Sequence, residues 1–364
     1  MYLAGVTIPY VHAYHAENPE FRAKSDGFSV VIGPPFNLIR KIDRDTRRCR
    51  GSILILVLLV MGLLAALVFQ SQTLARSRLV DHSTDLDLVQ LRAAMTDGIR
   101  QALQTLADDP TMMIDHPLDP WNRAIDIESP TGVSTRVRMV ELNGRFDLNN
   151  LYVKAPDLTS RPVKDIISDI FTECGDFESA GRIDSLIDWV DPDSQGFRER
   201  TFYQKKDPAY LPANYWLSGW SDLLHVEGFD RAYFEARQES AGGQVFTAHF
   251  SATLCIIPVA RNRPLMININ FASRATLVGV IGRLDSGIVD TMIASRKDNP
   301  ISNVELFIAV LDDEHAEALR PYLGVRSSHF RVEAKAWHQG HASRMEAIVQ
   351  RDSKGEISVL RWVL

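Results

Sequence analysis

The alternation of apolar and polar positions changes character twice within the first hundred or so residues. From Ser52 to Ala75 no side chain is charged, and Ile53 to Phe69 is continuously apolar. At about 1.5 Å per helical residue this run crosses most of a hydrocarbon core of about 30 Å, and it lacks the polar face that a helix buried in a soluble domain keeps. Behind it, Leu88, Leu91, Met95, Ile99, Ala102 and Leu106 recur at three- and four-residue intervals until Pro110. That spacing places one apolar stripe on a helix, so a single helix is predicted to run from the membrane into a soluble domain.

Beyond Pro110 the period shortens. Gly132 to Glu141 alternates as a half-buried strand does, and Asn143-Gly144, the commonest hairpin signal, predicts a return through Arg145 to Leu148. Residues 151 to about 236 are helical in pattern, with Val163–Phe171 and Ser179–Trp189 as amphipathic segments, and Gln244–Val259 is again strand-like. Ser273–Ala294 and Asn303–Leu319 read as helices, and Arg331–Arg351 with Glu356–Val363 as a final pair of strands. The Asp-Leu-Asn-Asn stretch at 147–150 and the Asn-Ile-Asn-Phe stretch at 268–271 each precede a helical set, which suggests a duplicated helical unit. The order predicts an α+β fold: a long N-terminal membrane-spanning helix packed on an antiparallel sheet, interrupted by a large inserted α-helical domain.

Charge orients the anchor. Arg40, Lys41, Arg44, Arg47, Arg48 and Arg50 precede the apolar run against only Asp43 and Asp45, which places the N-terminus in the cytoplasm and the rest beyond the membrane. The run is longer than the apolar region of about 7–15 residues in a cleaved secretory signal. The 364 residues carry a net charge of −6, which argues against a protein that works by neutralising nucleic-acid phosphates. Three scattered cysteines, Cys49, Cys174 and Cys255, allow no zinc knuckle and at most one disulfide, Cys174 to Cys255.

Arg50-Gly51-Ser52, basic residues and a glycine directly before the apolar run, resembles the processing site of type IV pilin-like proteins, in which a prepilin peptidase cuts after the glycine. The fifth residue after Gly51 is Leu56, where most such proteins have glutamate. That departure resembles the type II secretion system protein K group of minor pseudopilins. Several further motifs are similar to that family: Asn143 to Leu151 with Asn149; Leu186 to Asp193 with Asp188, Trp189 and Asp191; Ser221 to Phe229 with Gly228; Ile267 to Ala272 with Asn268 and Asn270; and Ser328-His329-Phe330. The resemblance spans roughly residues 45 to 364. It implies a pilin-like sheet and the following organisation: a cytoplasmic leader over 1–51, a membrane segment over 52–75, the continuing helix over 76–110, sheet over 111–150, the helical insertion over 151–325 and closing strands over 326–364. The leader is longer than usual, and with no methionine between Met1 and Met61 a non-AUG start is expected near Val31 or Leu38.

Asp188, Asp191 and Asp193, with Glu199 close behind, offer oxygen ligands of the kind a hard cation such as calcium takes, and the family resemblance implies calcium binding in this region. The spacing is not that of an EF-hand, Arg198 and Arg200 add opposing charge, and a plainer reading makes Asp188 and Asp191 helix caps and Asp193 solvated. His338 and His341, three apart, would face opposite sides of a strand, and the sequence offers His315 and His329 no obvious carboxylate partner. Ser218, Ser221, Asp222 and His225 invite a hydrolase reading, against which Ser221 reads as a helix N-cap with Asp222 in the first turn. Leu223–Phe229 and Leu277–Leu284 resemble helix-hairpin-helix units, which bind nucleic acid elsewhere; the acidic balance favours protein contacts here.

The resulting expectation is a non-enzymatic assembly protein of the inner membrane with a periplasmic domain, a minor pseudopilin at the tip of a pseudopilus. Its implied partners are the I- and J-type minor pseudopilins, the major pseudopilin, the prepilin peptidase and secreted substrate. The rivals are a signal-anchored periplasmic hydrolase and a helix-hairpin-helix nucleic-acid binder.

Overall fold

The computed structural model describes residues 50–152, 162–231, 233, 250–259, 261, 263–309, 311 and 313–363. Most of the expected leader and the first six residues of the strand expected at Gln244–Val259 lie outside the described residues. The described chain divides into two units, residues 50–87 and 88–363, with helix α1 (Arg50–Ala107) contributing to both.

In the first unit, Leu54–Leu74 has the length and composition of a membrane span, and none of its side chains is buried. Ile55, Leu56, Leu64 and Phe69 are each more than half exposed. Water does not favourably cover so continuous an apolar surface, so lipid or other helices must.

The second unit is built on a five-stranded antiparallel sheet in the order β1-β2-β7-β8-β9: β1 (Ile125–Glu128), β2 (Ser134–Glu141), β7 (His329–His338), β8 (His341–Arg351) and β9 (Ile357–Val363). Alternation decides its faces: Val137, Met139, Phe330, Val332, Ala334, Ala336, Ala347 and Val349 point inward, onto the stripe of Leu91, Met95, Ile99, Ala102, Leu103 and Leu106 on α1. Leu88, expected in that stripe, is 38% exposed and lies outside this core. The closest approach is at Gly98, where a Cβ would stand 2.7 Å from Val137 Cγ2. Gly98→Leu is therefore expected to destabilise this unit by about 1–3 kcal/mol through overpacking, measurable by denaturant unfolding; an unchanged midpoint would show that the helix can lift from the sheet at no cost.

Between β2 and β7 the chain forms a separate hydrophobic core. Helices α2 (Val163–Glu173), α3 (Ala180–Val190), α4 (Arg200–Tyr203), α5 (Trp220–Leu223), α6 (Arg274–Ile281), α7 (Ser286–Asp298), α8 (Glu305–Ile308) and α9 (Asp313–Leu319) accompany two parallel strand pairs. In these pairs β3 (Phe146–Asp147) lies beside β4 (Leu254–Cys255), and β5 (Ile267–Asn268) beside β6 (Leu323–Gly324).

Several expectations are corrected. The chain after Asn143-Gly144 does not fold back on β2: Phe146–Asp147 pairs in parallel with Leu254–Cys255, because Asn143 is held instead by Ser328 and His329, whose backbone N–H groups donate to its Oδ1. Of Gln244–Val259, residues 250–253 are helical and only Leu254–Cys255 are strand. The helix expected over Ser273–Ala294 breaks at Gly282, whose φ of 114° lies outside the helical range. Asn303–Leu319 likewise forms two short helices. The final pair of strands is three, because residues 331–351 turn at Gln339-Gly340. Cys174 and Cys255 are both free, with separate partners in Thr253 Oγ1 and the Leu142 carbonyl, so the admitted disulfide does not form.

Candidate functional site

The motif asparagines come together as connectors of backbone. Asn149 Oδ1 accepts from the Leu217 N–H at 2.7 Å while its Nδ2 donates to the carbonyls of Leu217 at 2.9 Å and Ile257 at 2.8 Å. Asn270 does the same with a different segment: Oδ1 accepts from the Ile301 N–H at 2.9 Å, and Nδ2 donates to Ile301 O at 3.0 Å and Asp115 O at 3.2 Å. Each amide thus pairs with both polar groups of one peptide residue, as a strand would. Two residues earlier, Asp147 Oδ1 accepts from Asn149 N and Asn268 Oδ1 from Asn270 N, so the turns repeat one pattern after β3 and β5. The sequence hint of a duplicated unit has this physical content.

Asn268 leads into a buried polar seam between the two cores. Its Nδ2 donates to Ser327 Oγ at 2.8 Å and Asp115 O at 3.1 Å; Ser327 Oγ donates to Glu141 at 2.5 Å, and Ser327 N to Asp115 at 2.6 Å. Arg351 closes the seam from β8, fully buried, with Nη1 on Asp109 at 3.0 Å and Nη2 on Asp115. Burial pushes Asp115 up to about 6 and Glu141 up to about 7, only partly offset by Arg351 and Ser327 respectively. Asp109, Asp115 and Asp119 are close enough to hold a cation, but Arg351 already supplies the positive charge at the first two and His116 lies 3.0 Å from the third. Sequence reasoning missed this seam, whose ion pairs join residues 236 and 242 positions apart.

A second carboxylate cluster lies on the face of α3. Asp188 in its last turn, Asp191 at its C-cap and Glu199 at the N-cap of α4 bring carboxylate oxygens within 4.8 Å of one another. Asp193, the fourth residue expected there, stands outside: it is exposed, and its Oδ1 accepts from Gln195 N at 2.8 Å. The expectation that Asp188 is a cap is also corrected, since it is buried within the helix and accepts from Arg198 N at 2.7 Å. Gly196 lets the loop close over it, because a Cβ there would collide with the Asp188 carboxylate. Glu199 is 5% exposed, and among the described residues no side chain donates to its oxygens; the Arg200 N–H is the one backbone donor that favours its charge. Burial first, then Asp191, Asp188 and Asp193, push its carboxyl up. The Arg198 guanidinium lies beside Gly181, at the opposite end of α3. Trp189 packs on the other side against Tyr203, Tyr210 and His225.

Residues 144–238, which hold this cluster, Asn149 and Gly228, match the family model for type II secretion system (T2SS), protein K. That segment, about a quarter of the chain, is similar to this family. The fold of the whole is similar to a chain in the crystal structure of the GspK-GspI-GspJ complex from the enterotoxigenic Escherichia coli Type 2 Secretion System, with a TM-score of 0.62 and 17% identity, covering 77% of this chain and 97% of that one. No curated protein matches the sequence significantly. Asn268 and Asn270 fall outside the matched segment, yet they repeat the geometry of Asp147 and Asn149 within it.

The set of residues that invited a hydrolase reading does not assemble as a triad. Ser221 Oγ approaches Asp222 Oδ1 at 3.4 Å, whereas the His225 ring stacks on Trp189. Ser221 is not the cap expected: Gly219 is the N-cap of α5, and Asp222 Oδ2 accepts from Ser218 N at 2.6 Å. His338 and His341 do not share a strand but face each other across the β7–β8 turn, with His338 Nδ1 3.1 Å from Gly132 O. Gly228 sits in a left-handed turn with φ 85°, and α6 and α7 form the helix pair around Gly282 that Leu277–Leu284 suggested.

Proposed function

We propose that this chain is a minor pseudopilin that caps or initiates the periplasmic pseudopilus of a type II secretion system, processed between Gly51 and Ser52 and held in the inner membrane with its C-terminal part in the periplasm. The observation that carries the reading is α1, which presents a bare apolar surface over Leu54–Leu74 and an apolar stripe from Leu91 that belongs to a folded core. In pilin-like filaments the fifth residue of the mature chain is usually a glutamate that pairs with a neighbour's N-terminal amine. Leu56 has no charge to offer, which suits a subunit with none above it. The residues between β2 and β7, read as an inserted helical domain with its own core, supply bulk that opposes further stacking.

The partners under this reading are the I- and J-type minor pseudopilins, the major pseudopilin, the prepilin peptidase and secreted substrate. Its test is co-purification of the full chain from detergent-solubilised membranes with tagged I- and J-type subunits. A stable ternary complex is expected; recovery of this chain alone, with the other two still paired, would remove it from the tip.

A second reading concerns calcium, and it rests on the buried Glu199 carboxylate, which faces two aspartates with no side-chain donor among the described residues. An all-oxygen donor set suits a hard cation, with backbone carbonyls and water completing the six to eight ligands calcium takes. Calcium at about one hundred times its Kd is expected to stabilise the protein by about 2.7 kcal/mol, seen as a rise in Tm over a chelator-treated sample. Glu199→Gln is expected to abolish that rise. A wild-type Tm indifferent to calcium would leave Glu199 a merely buried, protonated acid.

A further inference from the structure

A cavity of about 790 Å3 opens beside the start of β7 and is lined by Arg261, Arg263, Leu265, Met266, Arg326 and His329 among others, with no acidic residue in its wall. The charge of Arg261 is met by Asp147. The other two arginines have no carboxylate partner among the described residues. Arg326 donates to carbonyls, Nε to Met112 O at 3.1 Å and Nη2 to Asp352 O, which hold the guanidinium in place without neutralising it. Arg263 is exposed and makes no ion pair or hydrogen bond among the described residues. His329 adds no charge, since burial and Arg261 push it down to about 3. In a protein of net charge −6, this wall therefore concentrates two uncompensated cations.

The same wall carries an apolar surface. Met266 is 44% exposed and packs over Gly324, and Leu265 is buried behind it. Methionine and arginine are enriched in protein interfaces, and exposed methionine adapts to irregular apolar partners. A small oxyanion needs donors converging on one point, whereas here the cations come from two separate segments, Arg263 ahead of β5 and Arg326 ahead of β7, in a lining that also holds apolar side chains. An extended chain of alternating acidic and apolar side chains matches that spread.

We propose that this cleft docks an acidic segment of a partner protein, its carboxylates on Arg263 and Arg326 and an apolar side chain on Met266. The inference rests on the cleft alone and holds whether or not the chain caps a filament. The experiment uses the full chain in non-ionic detergent and a fluorescein-labelled peptide of alternating leucine and glutamate, followed by anisotropy. Binding is expected to weaken at least about tenfold between about 0.05 and about 0.3 M salt, as ion pairing at a surface requires. A leucine–glutamine peptide is expected to bind at least about tenfold more weakly, with Arg263→Glu giving a comparable loss and Met266→Ser a several-fold one. Arg263 is exposed and makes no ion pair or hydrogen bond among the described residues, so its variant tests binding even if Arg326→Glu fails to fold. Failure of the peptide to bind, or binding indifferent to Arg263→Glu, would overturn the proposal. So would radiolabelled inorganic phosphate that binds by itself and displaces the peptide while Met266→Ser has no effect, because the cleft would then be a small-anion site.

Discussion

A Gly51→Leu variant is expected to accumulate in membranes as an uncleaved precursor and to abolish secretion in cells that depend on this chain. The reason is local. Gly51 lies in the part of α1 that leads into the apolar run. Glycine inside a helix lowers its stability by about 1 kcal/mol relative to alanine, so the peptide proposed for cleavage unwinds cheaply into an extended form. Leucine restores the helix and places a side chain where a peptidase must approach the backbone. Mass measurement of the membrane-extracted protein separates the outcomes: a start at Ser52 in wild type and an intact leader in the variant are expected. A variant cut normally would refute prepilin processing and return the chain to the signal-anchored class.

Removal of the Asn270 side chain is expected to destabilise the second unit strongly. Asn270→Ala deletes three hydrogen bonds and leaves the Ile301 N–H, the Ile301 carbonyl and one of the bonds to the Asp115 carbonyl unmade in a site that is 3% exposed. Each buried group left unsatisfied costs about 1–3 kcal/mol, so a loss of about 3 kcal/mol or more is expected in denaturant unfolding. Asn149→Ala removes the equivalent bonds to Leu217 and Ile257 and is expected to cost a similar amount. A loss below about 1 kcal/mol in either variant would mean that water replaces the amide and that the seam is not the joint described.

The elements that local pattern dictates were legible. The stripe on α1 could be read because burial of one helix face imposes its period directly, and β2 because one face of its sheet is dry. The failures occurred where long-range partners outvoted local preference. Asn143-Gly144 carries a hairpin signal, but the Asn143 amide is taken by Ser328 and His329 from the far end of the sequence, which turns the chain elsewhere. The turn at Gln339-Gly340 escaped notice because alternation continues through both strands and glutamine, unlike asparagine or aspartate, rarely announces a left-handed residue. In the carboxylate cluster, spacing found three of the residues that meet; Asp193 bonds its own turn instead. Nothing in the sequence pointed to Arg351, since its pairing with Asp109 and Asp115 depends on folding that brings the end of the helix to the fourth strand of the sheet.

The polar seam has a mechanical consequence. Apolar surfaces slide past one another with gradual loss of energy, whereas a hydrogen bond depends steeply on distance and angle. A joint made of Asn268, Asn270, Ser327, Asp115 and Arg351 therefore has little slack: under tension it holds its register until several bonds fail together. A shift of the sheet against the helical part is therefore expected to break several of these bonds at once, where an apolar joint would creep.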